Sequence, residues 1–496
     1  MPTAIIQGKG SAGKTLLDFE VSPTYPYGCP IAAADRRPWN IPFNSNEVTL
    51  ARSLNQAETI RGDRNPSQPY QGNKDVTGGL VTPISFIQAG LFFKAAVGDP
   101  TTIDQPTSVS LGGTASIAAG GVTTFSIAQT GILIQDRVRM TYDDGTVVDG
   151  YVTTRTSDVL MTIKLDAAGV SDLPGIPQTA PAATLTLAVN TKVSSGPITV
   201  TIVSGVATFS SAQTFIVGDY VIYDGSTKGF ITSVTSTTVY GISDAEGFEP
   251  ADTGGAKPVE TVEAAPKWAH TSLIHPTNSI PSFALVRGFQ DLTPNEEWFT
   301  YLGCKVNTLS LEATAVGDTE LLMTMDIIGA DETTGTTPYD DSPAPTALNK
   351  SGARFENFDA TAKEAGVAIT LLKTFSMEVN NNLDTESFTI GGGGTRAALP
   401  EGIAGVSGAI TALFVNDDLL AKAQNNTETS LELILTQGTD TLNILFPEVK
   451  LQQNSPVISS AAGVELNLEF QAYFDDNVES SAIKVVLVND QASYEA

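Results

Sequence analysis

The residues best suited to chemistry fall into four groups, and each has a plainer reading beside it. Gly8-Lys-Gly-Ser-Ala-Gly13-Lys14-Thr15 has the glycine and lysine spacing of a P-loop. Such a loop cradles phosphate only when a strand precedes it and a long helix follows, because the helix N-terminus supplies the N–H groups. Here LLDFEVSPTYP follows, and Pro23 arrives eight residues after Thr15. The stretch therefore reads as a flexible basic turn. The two histidines, His270 and His275, stand five apart beside Pro276. No G-x-S-x-G elbow accompanies them, and the spacing is poor for a shared metal, so they read as surface or core histidines. The acidic pairs Asp143–Asp144, Asp340–Asp341, Asp417–Asp418 and Asp475–Asp476 lack EF-hand spacing. Asp417 stands where a helix begins, so N-capping and dipole compensation account for that pair. The run Gly391–Gly394 has no strand-to-helix phosphate context and reads as a mobile hairpin tip. No catalytic constellation, metal site or cofactor site emerges, and the chain reads as non-enzymatic.

Composition narrows the class further. A chain of 496 residues is too long for one ordinary core. With 44 glycines, abundant Thr and Ser, and charged residues at 17%, it reads as β-rich with many turns. A mean hydropathy of +0.03 argues against disorder as the main state. No apolar run is long enough to span a membrane, and the N-terminus has too short an apolar core for a signal peptide. Only Cys29 and Cys304 are present, which suits a reducing compartment rather than a disulfide framework. Net charge is −28, from 55 acids against 27 bases. That excludes a surface built to grip nucleic acid, which needs cations to displace counterions. Solubility alone accounts for such acidity; a surface that must lie beside DNA without holding it accounts for it too.

With no site to position, the elements themselves carry the information. The chain turns on Val76–Ala95, which it states twice. Val76, Gly78 and Leu80 match Val406, Gly408 and Ile410 at an offset of 330. Leu91, Phe92, Lys94 and Ala95 match Leu419, Leu420, Lys422 and Ala423. In each copy the first half reads as a strand and the second as a short helix. A strand of period two follows each copy: Leu321, Met323, Met325 and Ile327 after the first, Leu466, Leu468, Phe470 and Ala472 after the second. Between them, residues 100–265 shift to Thr, Ser, Val and Gly and hold their own repeat. Gly121-VTTFSIAQT and Gly205-VATFSSAQT share eight of ten residues at an offset of 84. This predicts two small β-domains in tandem, 100–180 and 181–265, with the Pro-rich piece 173–181 as linker.

Several stretches carry a family resemblance: GDRNPSQPYQGNKDVTGGL before the first helix, Cys304-KVNTLSLEAT, Phe375-SMEVNNNLDTE, Val406-SGAITALFVNDDLLAKA, Phe446-PEVKLQ and the acidic Phe474-DD. Over residues 40–98 and 268–490 the chain resembles the tail tube (major tail) proteins of long-tailed, non-contractile bacteriophages. The fold expected is mainly β: duplicated β-sandwich or barrel modules, each with a short helix, plus two inserted small, immunoglobulin-like β-domains. An N-terminal arm over 1–40 precedes a first module at 41–99 and 266–335. A linker over 336–364 leads to a second module at 365–496. Val76, Leu80, Leu91, Phe92, Val406, Ile410, Leu419 and Leu420 are the candidate module core. The resemblance implies a structural virion protein that pairs edge to edge into rings, stacked as a tube through which DNA is ejected. Two modules per chain imply a homotrimeric, pseudo-hexameric ring, with a homohexamer as the alternative. The arm and loops 61–75 and 391–398, with Arg61, Asp63, Arg64, Gly391 and Gly394, are expected to grip the next ring. The implied partners are further copies, tape measure and tail-end proteins, and DNA in transit; the implied place is the virion tail, assembled in the host cytoplasm. The rival readings are an extracellular β-repeat adhesin or surface-layer protein and a β-rich carbohydrate-active enzyme, the latter needing paired carboxylates in a cleft.

Overall fold

The computed structural model describes residues 9–20, 27–60, 62–105, 108–117, 122–125, 137–141, 147–157, 160–165, 183–188, 198–213, 215, 217, 219–224, 227–245, 247–263, 267–274, 279–292, 295–315, 320–341, 348, 354–356, 359–369, 371–415, 417–456, 463–474 and 479–494. The chain forms two units. One comprises Met1–Thr102, Ala269–Asn489 and Tyr494–Ala496, the other Ile103–Trp268 and Asp490–Ser493.

The first unit is mainly antiparallel sheet. Its strands include β1 (Gly13–Phe19), β2 (Ser45–Asn46), β3 (Thr49–Asn55), β4 (Tyr70–Pro83), β5 (Phe283–Phe289), β6 (Glu297–Thr314), β7 (Leu322–Gly329) and β8 (Asp331–Gly335), then β9 (Ala360–Glu364), β10 (Leu372–Asn380), β11 (Gly405–Leu413), β12 (Thr429–Gln437), β13 (Asp440–Leu451), β14 (Glu465–Ala472) and β15 (Lys484–Asn489). Helix α1 (Gln88–Val97) follows β4 and helix α2 (Asp418–Gln424) follows β11. Alternation makes the strands. In β7, Met323, Met325 and Ile327 are buried while Thr324 and Asp326 face solvent; in β14, Leu466, Leu468 and Phe470 are buried while Glu465, Asn467 and Glu469 are exposed.

The same pairing scheme occurs in two sets. In one, β3 pairs with β4, β4 with β7, β7 with β6, β6 with β5 and β8, and β5 with β1. In the other, β10 pairs with β11, β11 with β14, β14 with β13, β13 with β12 and β15, and β12 with β9. The registers correspond as well. Leu80 stands opposite Met325 as Ile410 stands opposite Leu468, and Val76 opposite Gly329 as Val406 opposite Ala472. One further pairing, β6 with β10 over Thr308–Thr314 and Thr374–Asn380, joins the sets.

The two sets share one hydrophobic core. Val76, Leu80, Leu91, Phe92, Val406, Ile410 and Leu420 are buried in it, and Leu419 packs half-buried against it. Each such side chain contributes about 1.5–3 kcal/mol on burial. Phe375, Phe446 and Phe470 form a ring cluster with centroids 5.2 to 6.2 Å apart. Helix α1 is buried on every side. Ser85 and Gln88 cap it: the Gln88 N–H donates to Ser85 Oγ (3.2 Å), and that hydroxyl donates to Gln88 Oε1 (3.3 Å).

Three expected boundaries change. Residues 13–19, expected within an extended arm, are strand β1, with Leu16, Leu17 and Phe19 buried against β5. Residues 360–364, expected in the linker, are strand β9 on β12. In β1 consecutive residues are buried, so period two does not reveal it, and in β9 a single buried residue, Ala362, is too weak a pattern.

In the second unit, one closed barrel contains Ser108–Ile117, Val122–Phe125, Arg137–Thr141, Val147–Ser157, Leu160–Leu165 and Ala183–Ala188. Another contains Thr199–Val203, Val206–Phe209, Tyr220–Tyr223, Thr227–Val234, Val239–Ser243 and Lys257–Glu263. Numbering the strands within each, the order around both barrels is 1-2-5-4-3-6. Closure removes free edges, so neither is the open two-sheet sandwich of an immunoglobulin-like domain. The strand Ala183–Ala188 closes the first barrel, which moves the expected boundary at 180/181 beyond it. The Pro-rich linker expected at 173–181 lies outside the described residues.

Candidate functional site

The groups with chemical potential are occupied structurally. Lys14 and Thr15 sit in β1, not at a helix N-terminus; Lys14 pairs with Asp340, and Thr15 Oγ1 accepts from Asn46 Nδ2 at 3.1 Å. His270 is buried, with Nδ1 2.9 Å from Thr102 Oγ1, Nε2 3.2 Å from Asn489 Oδ1 and its ring edge-on to Tyr494. It is a satisfied core histidine; His275 lies outside the described residues. Asp417 takes the N-cap position of α2, but its side chain makes no capping hydrogen bond, and Asp418 supplies the acid of the first turn. The pairs Asp143–Asp144 and Asp475–Asp476 lie outside the described residues. Among the described residues no cluster of His, Cys, Asp and Glu suits a metal ion.

The distinctive surface is the solvent face of the sheet formed by β4, β7, β6, β10, β11 and β14. Antiparallel register aligns its side chains in rows. One row runs Thr324, Ser310, Glu378, Ser407, Gln471, Lys450. The next runs Leu322, Glu312, Ser376, Ala409, Glu469. Asp326 lies beside the first row, opposite Gly79 and Thr308. The two rows line a hollow of about 970 Å³. Glu312, Glu378 and Glu469 within it, and Asp326 on the same face, are exposed and form no ion pair with a described residue. Asp326 and Glu469 occupy matching positions in the two pairing sets, one residue past Met325 and Leu468. The one cation on the rows, Lys450, donates to the Asn426 carbonyl at 2.9 Å. Small hydroxyl and amide groups fill the rest, so the face offers anions and short polar side chains and no cationic cradle.

Two sheet edges bear on assembly. The edge of β6 that carries β5 up to Cys304 carries β10 beyond Thr308. The corresponding edge of β13 carries β12 up to Val449 and then, among the described residues, no strand. Past it, Gln452 N–H still donates to the Glu469 carbonyl (2.8 Å), and Asn454 Nδ2 to the Asn467 carbonyl (3.2 Å). So this segment follows β14 on one side only. Strand β3 pairs with β4 on one side, and its other edge carries no strand among the described residues. Its register matches that of β10, since Leu50 faces Val76 as Val379 faces Val406.

The expected ring-stacking residues divide. Asp63 and Arg64 are exposed in the loop joining β3 to β4, and Arg61 lies outside the described residues. Gly391 and Gly394 lie in a turn with φ +87° and +81°. That turn leans on its own chain: Lys74 N–H donates to the Gly394 carbonyl (2.8 Å), and Arg396 pairs with Asp75.

Buried polar anchors escaped sequence reasoning. Asp18 in β1 accepts from the Arg37 N–H (2.9 Å) and from Tyr339 Oη (2.9 Å), and burial pushes its carboxyl up to about 6. Lys94 is buried in α1, donates to the Tyr494 carbonyl (2.6 Å) and lies over the Phe19 ring. The only sequence signal for either was a charge inside an apolar run.

No curated protein matches the chain. The family model described as phage tail tube protein matches residues 10–472. This span takes in both pairing sets except β15, the acidic face and the barrels, and the chain therefore belongs to the phage tail tube protein family, a structural component of the virion tail.

Proposed function

We propose that this chain self-assembles into three-copy rings that stack as the tail tube, with the acidic face lining the channel for DNA. The observation that carries this reading is the single pairing between the sets. Inside the chain, β10 docks on β6; the corresponding partners, β3 and the segment after Val449, are both open. Strand addition between copies closes that gap. Two pairing sets per chain make a three-copy ring pseudo-sixfold, and closure leaves no free edge sideways. The ring then has no use for a separate stabilising partner, and each set contributes one equivalent stretch of channel wall.

The channel chemistry follows from the face. Duplex DNA carries about one negative charge per 1.7 Å of axis. A wall presenting Glu312, Asp326, Glu378 and Glu469 repels it, over a Debye length of about 8 Å at physiological salt. DNA close to the wall slides without cations to hold it. Assembly takes place in the host cytoplasm, with tape measure and tail-end proteins setting the two ends. Light scattering followed by negative-stain microscopy of the purified full chain tests the ring. Three copies per layer is the expected result; six per layer removes the strand-addition argument, and a persistent monomer counts against self-assembly itself.

A further inference from the structure

Inside the chain, one buried side chain seals the place where β10 docks on β6. Asn381 directly follows β10 and is buried. Its Nδ2 donates to the Val306 carbonyl of β6 (2.9 Å) and to the Ala96 carbonyl in the last turn of α1 (2.9 Å). One amide thus ties a strand edge to a helix C-terminus, where carbonyls lack intrahelical donors.

Each of these groups has a counterpart at the two open edges. Gly78 stands opposite Ile327 as Gly408 stands opposite Phe470, so Val306, beside Ile327, corresponds to Leu451, beside Phe470. The Gln452 N–H points to the Glu469 carbonyl, so the Leu451 carbonyl, one residue earlier, points to the open edge. Ala96 follows Ala95 as Gln424 follows Ala423, and α2 packs against β13 as α1 packs against β6. Among the described residues no donor reaches the Gln424 carbonyl. The counterpart of Asn381 itself is Arg52. Leu50 matches Val379 and Ala51 matches Asn380, so Arg52 stands one residue on, where Asn381 does. It shares a face of β3 with Leu50, as Asn381 shares a face with Val379. In its own chain Arg52 is exposed, and its Nε donates to the Gly72 carbonyl (2.8 Å). The other guanidinium N–H groups remain available.

We infer that Arg52 of one copy donates to the Leu451 and Gln424 carbonyls of its neighbour in the same ring, capping α2 as Asn381 caps α1. This rests on the tube reading, and it names the side chain that fixes the register of the added strand. Gln452 stands beside Glu469 as Thr308 stands beside Asp326. Ala51 therefore falls opposite Gln452 and Leu50 opposite Gln453, as Asn380 falls opposite Thr308 and Val379 opposite Leu309. The change from amide to guanidinium suits the place. Asn381 is buried within one chain, whereas Arg52 stays in water until a second copy arrives. A cation is favoured at a helix C-terminus, and the planar fork can serve two carbonyls at once.

The test uses the full chain with Cys29→Ser, Cys304 being buried. Ala51→Cys and Gln452→Cys copies are mixed, assembled and oxidised; Ser53→Cys with Gln452→Cys is the control for a shifted register. Opposed residues that exchange no backbone hydrogen bonds, as Ala51 and Gln452 would be, lie close enough for a disulfide. Separately, Arg52→Ala and Arg52→Lys are compared with the parent for the concentration at which rings form, and for thermal unfolding of the dilute single chain. The inference expects a disulfide from the Ala51 mixture and none from the control. It expects a ring-forming concentration raised about tenfold or more in Arg52→Ala and less in Arg52→Lys, with single-chain melting unchanged. Parental ring formation by Arg52→Ala, or a disulfide from the control alone, overturns the cap while leaving the ring. So does a lowered melting temperature of the single Arg52→Ala chain, which would make its role local. A parent chain that forms no rings overturns the tube reading, and the cap with it.

Discussion

Replacing the two repeated glycines by alanine probes why the chain states its central stretch twice. Gly78 and Gly408 occupy equivalent places in β4 and β11, and in both the preceding strand crosses closely. A Cβ on Gly408 would lie 2.5 and 2.6 Å from ring carbons of Phe470, and closer still to the Ser376 carbonyl oxygen. On Gly78 it would lie 2.6 Å from Val48 Cα and 2.7 Å from the Glu47 carbonyl carbon. Ordinary contact begins near 3.4 Å. The obstacles are backbone and a ring locked among Phe375 and Phe446, so β10, or the segment joining β2 to β3, must shift by most of an ångström. Overpacking of this kind costs about 1–3 kcal/mol, and a backbone obstacle puts both sites at about 3 kcal/mol. Gly79 and Gly405 are the internal controls, because an added Cβ meets nothing within 4 Å at either. Alanine there is neutral or stabilising by a few tenths of a kcal/mol, roughly. Thermal unfolding of the four single variants reads the difference. At roughly 2–4 °C per kcal/mol for a core of this size, Gly78→Ala and Gly408→Ala melt about 6–12 °C below the controls. Four indistinguishable melting curves would refute the reasoning that close strand crossing, and not turn formation, put glycine at these places.

Three further outcomes are expected. Glu312→Lys, Glu378→Lys and Glu469→Lys combined leave rings intact but make assembled tubes retain duplex DNA at low salt and release it as salt rises; tubes that ignore DNA at every salt would remove these acids from the channel wall. Asp18 has a folded pKa of about 6 against an ordinary 3.8, so the folded state binds its proton more tightly than the unfolded chain. Stability therefore falls as pH rises from about 4 through 6, by roughly 2–3 kcal/mol, and Asp18→Asn flattens that part of the urea-midpoint profile. Tyr494→Phe removes a hydroxyl that accepts from Asn489 Nδ2 (2.7 Å) and donates to the Ile87 carbonyl (2.7 Å), so it costs about 1–3 kcal/mol by chemical denaturation.

Much of the fold was legible before any coordinates, for a physical reason that can be named. A strand with one face in a core and one in water must alternate, and β7 and β14 show that alternation in Met323-x-Met325-x-Ile327 and Leu466-x-Leu468-x-Phe470. Val76, Leu80, Leu91 and Phe92 and their later counterparts repeat because they fill equivalent places in one core. The strand β1 was hidden because LLDF is buried on consecutive residues, with neighbours on both faces, and its GKT prefix imitates a phosphate loop. The closing strand Ala183–Ala188 was hidden because the repeat of 121–130 in 205–214 does not reach it.

By itself, the sequence determined the β class, the repetition of its central stretch and of the stretch within the insertion, and the resemblance to the family. Those are local properties: periodicity, residue type and repetition along one chain. The tertiary structure alone decided which polar residues share a face and which edges stay open. Every alternating strand has a polar side. Only the lateral order β7, β6, β10, β11, β14 brings Asp326, Glu312, Glu378 and Glu469 onto one surface. Lateral order is set by contacts between residues as far apart as Leu80 and Met325, or Thr308 and Asn380, and no window along the chain contains both partners.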